Sequence, residues 1–246
     1  MERIIVLSDI HSNLPALISV FSHLEITEMD EVKIIVNGDA ISLGPSPVEC
    51  LEFLQRFPQI DYVIGNNDRY VIERVFESDE PFHSDLPGGV PEEIKMNLAW
   101  TCDQLSAQHI DFIKGWQKSI VVPMGNKEVC IAHGVPWNDE ECLHADTPDS
   151  YLEEKLSKYD CYVSGHYHIP MIRELSGKLY VNAGSVGSPL DGNSDGCYLT
   201  ITHENNSLRP ILHRVKYELR ATIDELKRKN VPGADLIAPV LEKGSF

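Results

Sequence analysis

Ile4-Ile5-Val6-Leu7-Ser8-Asp9-Ile10-His11-Ser12-Asn13-Leu14-Pro15-Ala16-Leu17 passes from an apolar run through a polar triplet into a helical pattern. Ile4–Leu7 reads as a buried strand. Side chains alternate along a strand with a period of two, so Asp9 and His11 at its end are expected on one side. A carboxylate and an imidazole so placed can share a metal ion. An Asp at a strand end followed by a polar turn His would give the same triplet with no ligand. Asn13 suits a helix N-cap and Pro15 the first turn, ahead of Leu14, Leu17, Ile18, Phe21 and Leu24 at helical spacing.

Outward from this stretch, short β-branched runs recur at Lys33–Val36, Tyr62–Ile64, Val129–Ala132, Cys161–Val163 and Leu179–Val181. Val48, Leu51, Leu54 and Phe57 form a second helical pattern between the early runs. Strand-helix-strand-helix-strand implies a parallel, right-handed α/β start. From about 69 to 118 helical spacing dominates, as in Val71-Ile72-Val75-Phe76 and Ile94-Leu98-Thr101-Leu105, broken by a loop over Pro81–Gly89 that carries His83. This reads as a helical insertion in one domain spanning 1–246. A helix is expected from Thr147-Pro148, paired strands over 197–203 and 210–217, and helix, break, helix over about 221–242.

The chain has 246 residues, with 38 Asp+Glu against 21 Lys+Arg, so its formal net charge is −17. Such acidity argues against long nucleic acids, which need many basic contacts, and against anionic membrane surfaces. No run approaches the ~18 apolar residues of a membrane span, and the first residues do not form a signal-peptide core. The six cysteines include no C-x-x-C pair. A reduced, cytoplasmic protein is therefore expected. Oligomeric state is not legible.

Polar clusters follow successive strands: Asp9-Ile10-His11, Gly38-Asp39, Gly65-Asn66-Asn67-Asp68, Ala132-His133-Gly134 and Gly165-His166-Tyr167-His168. Loops at the carboxyl ends of strands in an α/β sheet bring distant residues together. Gly-Asp and Gly-Asn-Asn-Asp are also ordinary turn sequences, with Asp68 suited to capping the next helix. Two histidines at i and i+2 after a glycine point to ligation more strongly than a lone His.

In this order the clusters resemble the calcineurin-like metallophosphoesterase superfamily, whose pattern is D-x-H, G-D, G-N-H-D/E, H and G-H-x-H. Gly44-Pro45 and Val181-Asn182-Ala183-Gly184-Ser185-Val186-Gly187-Ser188-Pro189 are similar to its small bacterial and archaeal members as well. The resemblance implies an α-β-β-α four-layer sandwich with two mixed sheets. It also implies two divalent ions (Mn, Fe, Zn, Ni or Co). Asp9, His11, Asp39 and His168 would hold one, and Asp39, Asn66, His133 and His166 the other, with Asp39 bridging. Asp39, Asn66, Asn67 and His133 would form the catalytic set. The implied activity is hydrolysis of a small or nucleotide-like phosphoester, a diester or a monoester, by a metal-bridging hydroxide. Ions ~3.5–4 Å apart clamp the phosphate in such sites.

Two departures narrow this. Asn67 stands where the family has a histidine that serves the leaving oxygen, and an amide cannot deliver a proton. Slow turnover of alkyl phosphates is expected, unless His83 or His144 supplies the proton. After Gly38-Asp39 the chain continues Ala40-Ile41-Ser42-Leu43-Gly44, without the arginine of the protein phosphatases. Diadenosine-polyphosphate hydrolysis, or a non-hydrolytic metal-binding scaffold of the same fold, are the alternatives. Gly184-Ser185-Val186-Gly187 is expected to be a tight loop beneath the site rather than a nucleophile turn.

Overall fold

The computed structural model describes residues 3–25, 32–78 and 90–246. His83 lies outside the described residues. Strands β1 (Arg3–Leu7), β2 (Lys33–Asn37) and β3 (Ile60–Val63) pair in parallel, with helices α1 (Leu14–Leu24) and α2 (Pro47–Gln55) as crossovers. The later strands β9 (Gly196–Glu204) and β10 (Ser207–Val215) add antiparallel, giving the order β10-β9-β1-β2-β3.

A second five-stranded sheet is built from β4 (Ser119–Met124), β5 (Lys127–Ala132), β6 (Cys161–Ser164), β7 (Met171–Leu175) and β8 (Lys178–Asn182). Its order is β4-β5-β6-β8-β7, with β5, β6 and β8 parallel and the two edge strands antiparallel. Both sheets are mixed, as expected.

The pleat sorts the apolar runs into layers. In β1, Ile5 and Leu7 face a core shared with Leu17, Phe21, Leu51 and Leu54 of the crossover helices. Ile4 and Val6 face the other way, into a core shared with Val129, Ile131, Val163 and Val181 of the second sheet. Strand β2 divides likewise, with Ile34 and Val36 outward and Ile35 inward. Tyr162 and Tyr180 on the far face of the second sheet meet Leu152 of α6 (Asp149–Lys155). A run apolar on both faces is what a strand between two covered faces requires. The result is helix, sheet, sheet, helix.

Between β3 and β4 the described chain is helical: α3 (Asn66–Glu73), α4 (Glu92–Gln104) and α5 (Ala107–Lys114). Helix α3 begins at Asn66, before the expected start of the insertion, so one polar cluster lies in its first turn. Helices α7 (Leu219–Arg228) and α8 (Ala234–Lys243) close the chain. Asn97 on α4 is buried and links the two regions: its amide donates to the Leu43 and Pro232 carbonyls and accepts from Leu43 N at 2.8 Å. Among the described residues no helix is long and apolar enough to cross a membrane.

Candidate metal centre

Asp9, His11 and Ser12 do not continue the strand. Their φ values are 55°, 48° and 52°, in the left-handed region. Pleat alternation is therefore not what brings Asp9 and His11 together. The backbone instead turns against the neighbouring loop, with Asp9 N donating to Gly38 O at 3.1 Å and His11 N to Asp39 O at 2.9 Å. Asp39, His166 and His168 are also left-handed, at 50°, 63° and 61°. Such conformations cost of order 1 kcal/mol each for residues with a Cβ and persist where the surroundings impose them.

Two groups of side chains result. The ligand atoms of Asp9, His11 and His168 all lie within 4.8 Å of one another, as do those of Asp39, His133 and His166. His11 Nε2 and His168 Nε2 face each other at 3.0 Å, and His168 Nε2 lies 3.1 Å from Asp9 Oδ1. Asp39 stands between the groups, Oδ2 3.7 Å from His11 Nε2 and Oδ1 3.5 Å from His133 Nε2. Asn66 joins the second group, its Oδ1 3.1 Å from His133 Nε2. The adjacent histidines His166 and His168 thus serve different groups. All except the half-buried His166 are buried.

Backbone carbonyls hold the imidazoles. His133 Nδ1 donates to Asn37 O at 2.9 Å and His168 Nδ1 to Ser188 O at 2.6 Å. Each bond turns Nε2 toward the centre, the usual outer-shell arrangement of ligating histidines. Asp9 Oδ2 is occupied by Ser8 Oγ at 2.5 Å and His166 N at 3.1 Å, whereas buried Asp9 Oδ1 faces imidazole nitrogens, His168 Nε2 at 3.1 Å. A buried carboxylate oxygen beside two imidazole nitrogens that face each other at 3.0 Å is a donor set that a cation would satisfy. The mixed nitrogen and oxygen donors fit a first-row divalent ion.

Space around the centre is tight. A Cβ on Gly65 would stand 2.2 Å from Asp39 Oδ1, and one on Gly165 2.7 Å from Asp9 Oδ2. Only glycine lets these loops approach the carboxylates so closely.

Charges in the centre pull against burial. Burial alone would lower His133, but Asp39 and Asp9 outweigh it and push the imidazole up to about 10. Burial would raise Asp39, yet the neighbouring His133 holds it below the usual carboxylate range. His11 is pushed down to about 4 by burial and by His168. Asp68 is pushed up to about 8 by burial and by Asp39.

The remaining expected residues are placed as follows. Asn67 lies against Asp39, its Nδ2 donating to Oδ2 at 2.6 Å and its backbone N to Oδ1 at 2.9 Å. Asp68 caps α3 from within the first turn, accepting from Gly65 N at 3.0 Å. It also accepts from Ala40 N and Ile41 N, which fixes the loop after Asp39. Ser185 is buried, its hydroxyl donating to Asp9 O at 2.7 Å, so its loop supports the centre from below. His144 is not among the two groups and packs edge-on against Tyr167, ring centroids 4.2 Å apart.

Sequence reading missed Arg69, which donates from Nε and Nη2 to both oxygens of Asp139 at 2.7 Å and to Glu140 at 2.6 Å. Its spacing from Asn66, one helical turn, was the available signal. It also missed the Asn37 and Ser188 carbonyls, which carry no side-chain signature.

The sequence profile of the calcineurin-like phosphoesterase superfamily domain matches residues 2–206. An uncharacterized protein of Methanocaldococcus jannaschii is 27% identical over 248 residues, covering 94% of each chain. The crystal structure of a hypothetical protein from Pyrococcus horikoshii superposes with a TM-score of 0.81 at 22% identity, covering 100% of this chain and 99% of that one. A metallophosphoesterase from Sphaerobacter thermophilus gives a TM-score of 0.76 at 23% identity, covering 99% of both chains.

Proposed function

Because this chain belongs to the calcineurin-like phosphoesterase superfamily, we propose that it hydrolyses phosphoester bonds in small or nucleotide-like substrates with two divalent ions. The observation that supports this most is the position of Asp39, a member of the second group whose Oδ1 faces His133 of that group and whose Oδ2 faces His11 of the first. When bound, such ions neutralise charge on the phosphoryl oxygens and lower the pKa of a bound water. Asp9, His11, Asp39 and His168 would hold one ion, and Asp39, Asn66, His133 and His166 the other.

The protein's own groups do the rest. The Asn37 and Ser188 carbonyls keep the His133 and His168 Nε2 atoms pointed inward. Asn67 orients Asp39. With an amide at that position the leaving oxygen departs without a proton from Asn67, which favours substrates whose leaving group is already stable as an anion. Ser185 is committed to the Asp9 carbonyl, which supports direct attack by water over a covalent serine intermediate.

The experiment is turnover of bis(p-nitrophenyl) phosphate and p-nitrophenyl phosphate after loading with Mn, Co, Ni, Zn or Fe, beside elemental analysis. Wild-type protein is expected to bind about two ions and hydrolyse at least one ester. Asp39→Asn should lose both properties. Full activity in that variant, or no activity with any metal in the wild type, would overturn the reading.

A further inference from the structure

The connection between β5 and α6 starts at the metal centre, with His133, and exposes a tryptophan to solvent. It leaves β5 at His133 and immediately makes a tight turn, Val135 N donating to Asn138 O at 2.8 Å and Asn138 N to Val135 O at 3.0 Å. Pro136 and Trp137 are the two central residues. Val135 is buried, while Trp137 is 53% exposed.

This turn is braced on both sides. Gly134 packs so closely on the returning arm that a Cβ there would stand 2.5 Å from Asn138 O. Asp139 and Glu140, just beyond, receive the Arg69 guanidinium. Arg69 sits one turn along α3 from Asn66, which itself meets His133. A proline-containing turn fixed to the same helix and the same strand end as the second group of ligands holds little residual freedom. Farther along the connection, His144 stands edge-on to Tyr167, whose chain neighbours are His166 and His168. The connection thus runs beside the centre from His133 to Tyr167.

We propose that Trp137 is a specificity residue whose indole stacks on a planar ring, a nucleobase or an aryl group, in the organic part of the phosphoester. The inference rests on the phosphoesterase reading and names the chemistry that reading leaves open. A rigidly mounted, exposed indole is suited to this contact, because every such ring has a π-face and the contact needs no charge. Charge matters here because the chain carries a net −17. A ring stack gains its affinity without positive charge, which suits an acidic chain.

The test measures binding to the Mn-loaded protein by calorimetry, with AMP, phenylphosphonate and methylphosphonate as ligands. Trp137→Ala should weaken AMP, phenylphosphonate or both on the order of tenfold, the scale of one lost ring stack, and leave methylphosphonate unchanged. Trp137→Phe should restore most of the loss. Loss confined to AMP assigns the ring to a nucleobase, and loss with both assigns it to any aryl group. An equal change with all three ligands, or no change with any, would overturn the inference. A wild-type protein that shows the ring preference yet hydrolyses no ester would overturn the proposed function and leave this inference standing.

Discussion

Asn67 holds Asp39 by two bonds, a side-chain amide to Oδ2 at 2.6 Å and a backbone N–H to Oδ1 at 2.9 Å. The residue that stands in the family's histidine position is therefore an orienting group for the carboxylate between the two ligand groups. Its chemistry sets the first expectation.

Asn67→His should restore a proton donor near the leaving oxygen. Turnover of alkyl phosphates is expected to rise on the order of a hundredfold relative to p-nitrophenyl esters, the low end of general-acid effects. Rates across leaving groups of graded pKa check this. An unchanged slope would remove the argument that the amide limits leaving-group choice.

Gly65→Ala puts a methyl group 2.2 Å from Asp39 Oδ1. Neither backbone nor carboxylate has room to move in this buried loop, so a loss of about 1–3 kcal/mol in stability is expected from overpacking. Metal content should fall with it. Urea midpoints and elemental analysis read the two effects, and a stable variant with full metal content would contradict the described geometry.

Metal uptake should release protons at neutral pH. His133 is held near 10 by Asp39 and Asp9, so below that value its imidazole carries a proton that a cation must displace. Metal affinity is therefore expected to rise as pH climbs from 6 toward 9. His11, pushed down to about 4, is already neutral across that range and adds nothing. Calorimetry in buffers of different ionisation enthalpy should count about one proton or more per loaded site pair; none released would contradict the assigned charge state.

The cysteines give a test of packing independent of metals. Cys50, Cys161 and Cys197 are buried, and burial pushes each thiol up, to about 11 for Cys197. Cys142 is only half-buried. Alkylation of the native protein at pH 7.5, mapped by mass spectrometry, should label Cys142 first. Fast labelling of Cys50 or Cys161 would show that the helix-facing or inter-sheet core opens.

The apolar runs of β1, β2, β5 and β6 are visible in the sequence because both faces of each are covered, so nearly every residue is apolar. Strands β4 and β7 escape, although the edges of the other sheet, β3 and β10, are read. Pro123 interrupts β4, and β7 alternates half-buried with exposed residues and buries none fully. The ligand-bearing loops are legible as polar clusters after strands, yet their backbone is not. Nothing in the spelling Asp-Ile-His marks two left-handed residues, since the conformation is imposed by the Gly38 and Asp39 carbonyls of another loop. The one-turn spacing of Arg69 from Asn66 is legible, but its partners are not, because they lie seventy residues away in the chain.

Five of the ligand candidates, Asp9, His11, Asp39, His166 and His168, occupy backbone conformations in which glycine or asparagine would be more comfortable. Each is thus a site where drift toward a better-folded chain leads away from chemistry. The strain forecasts that thermostability selections run without an activity screen will return variants substituted at these five positions.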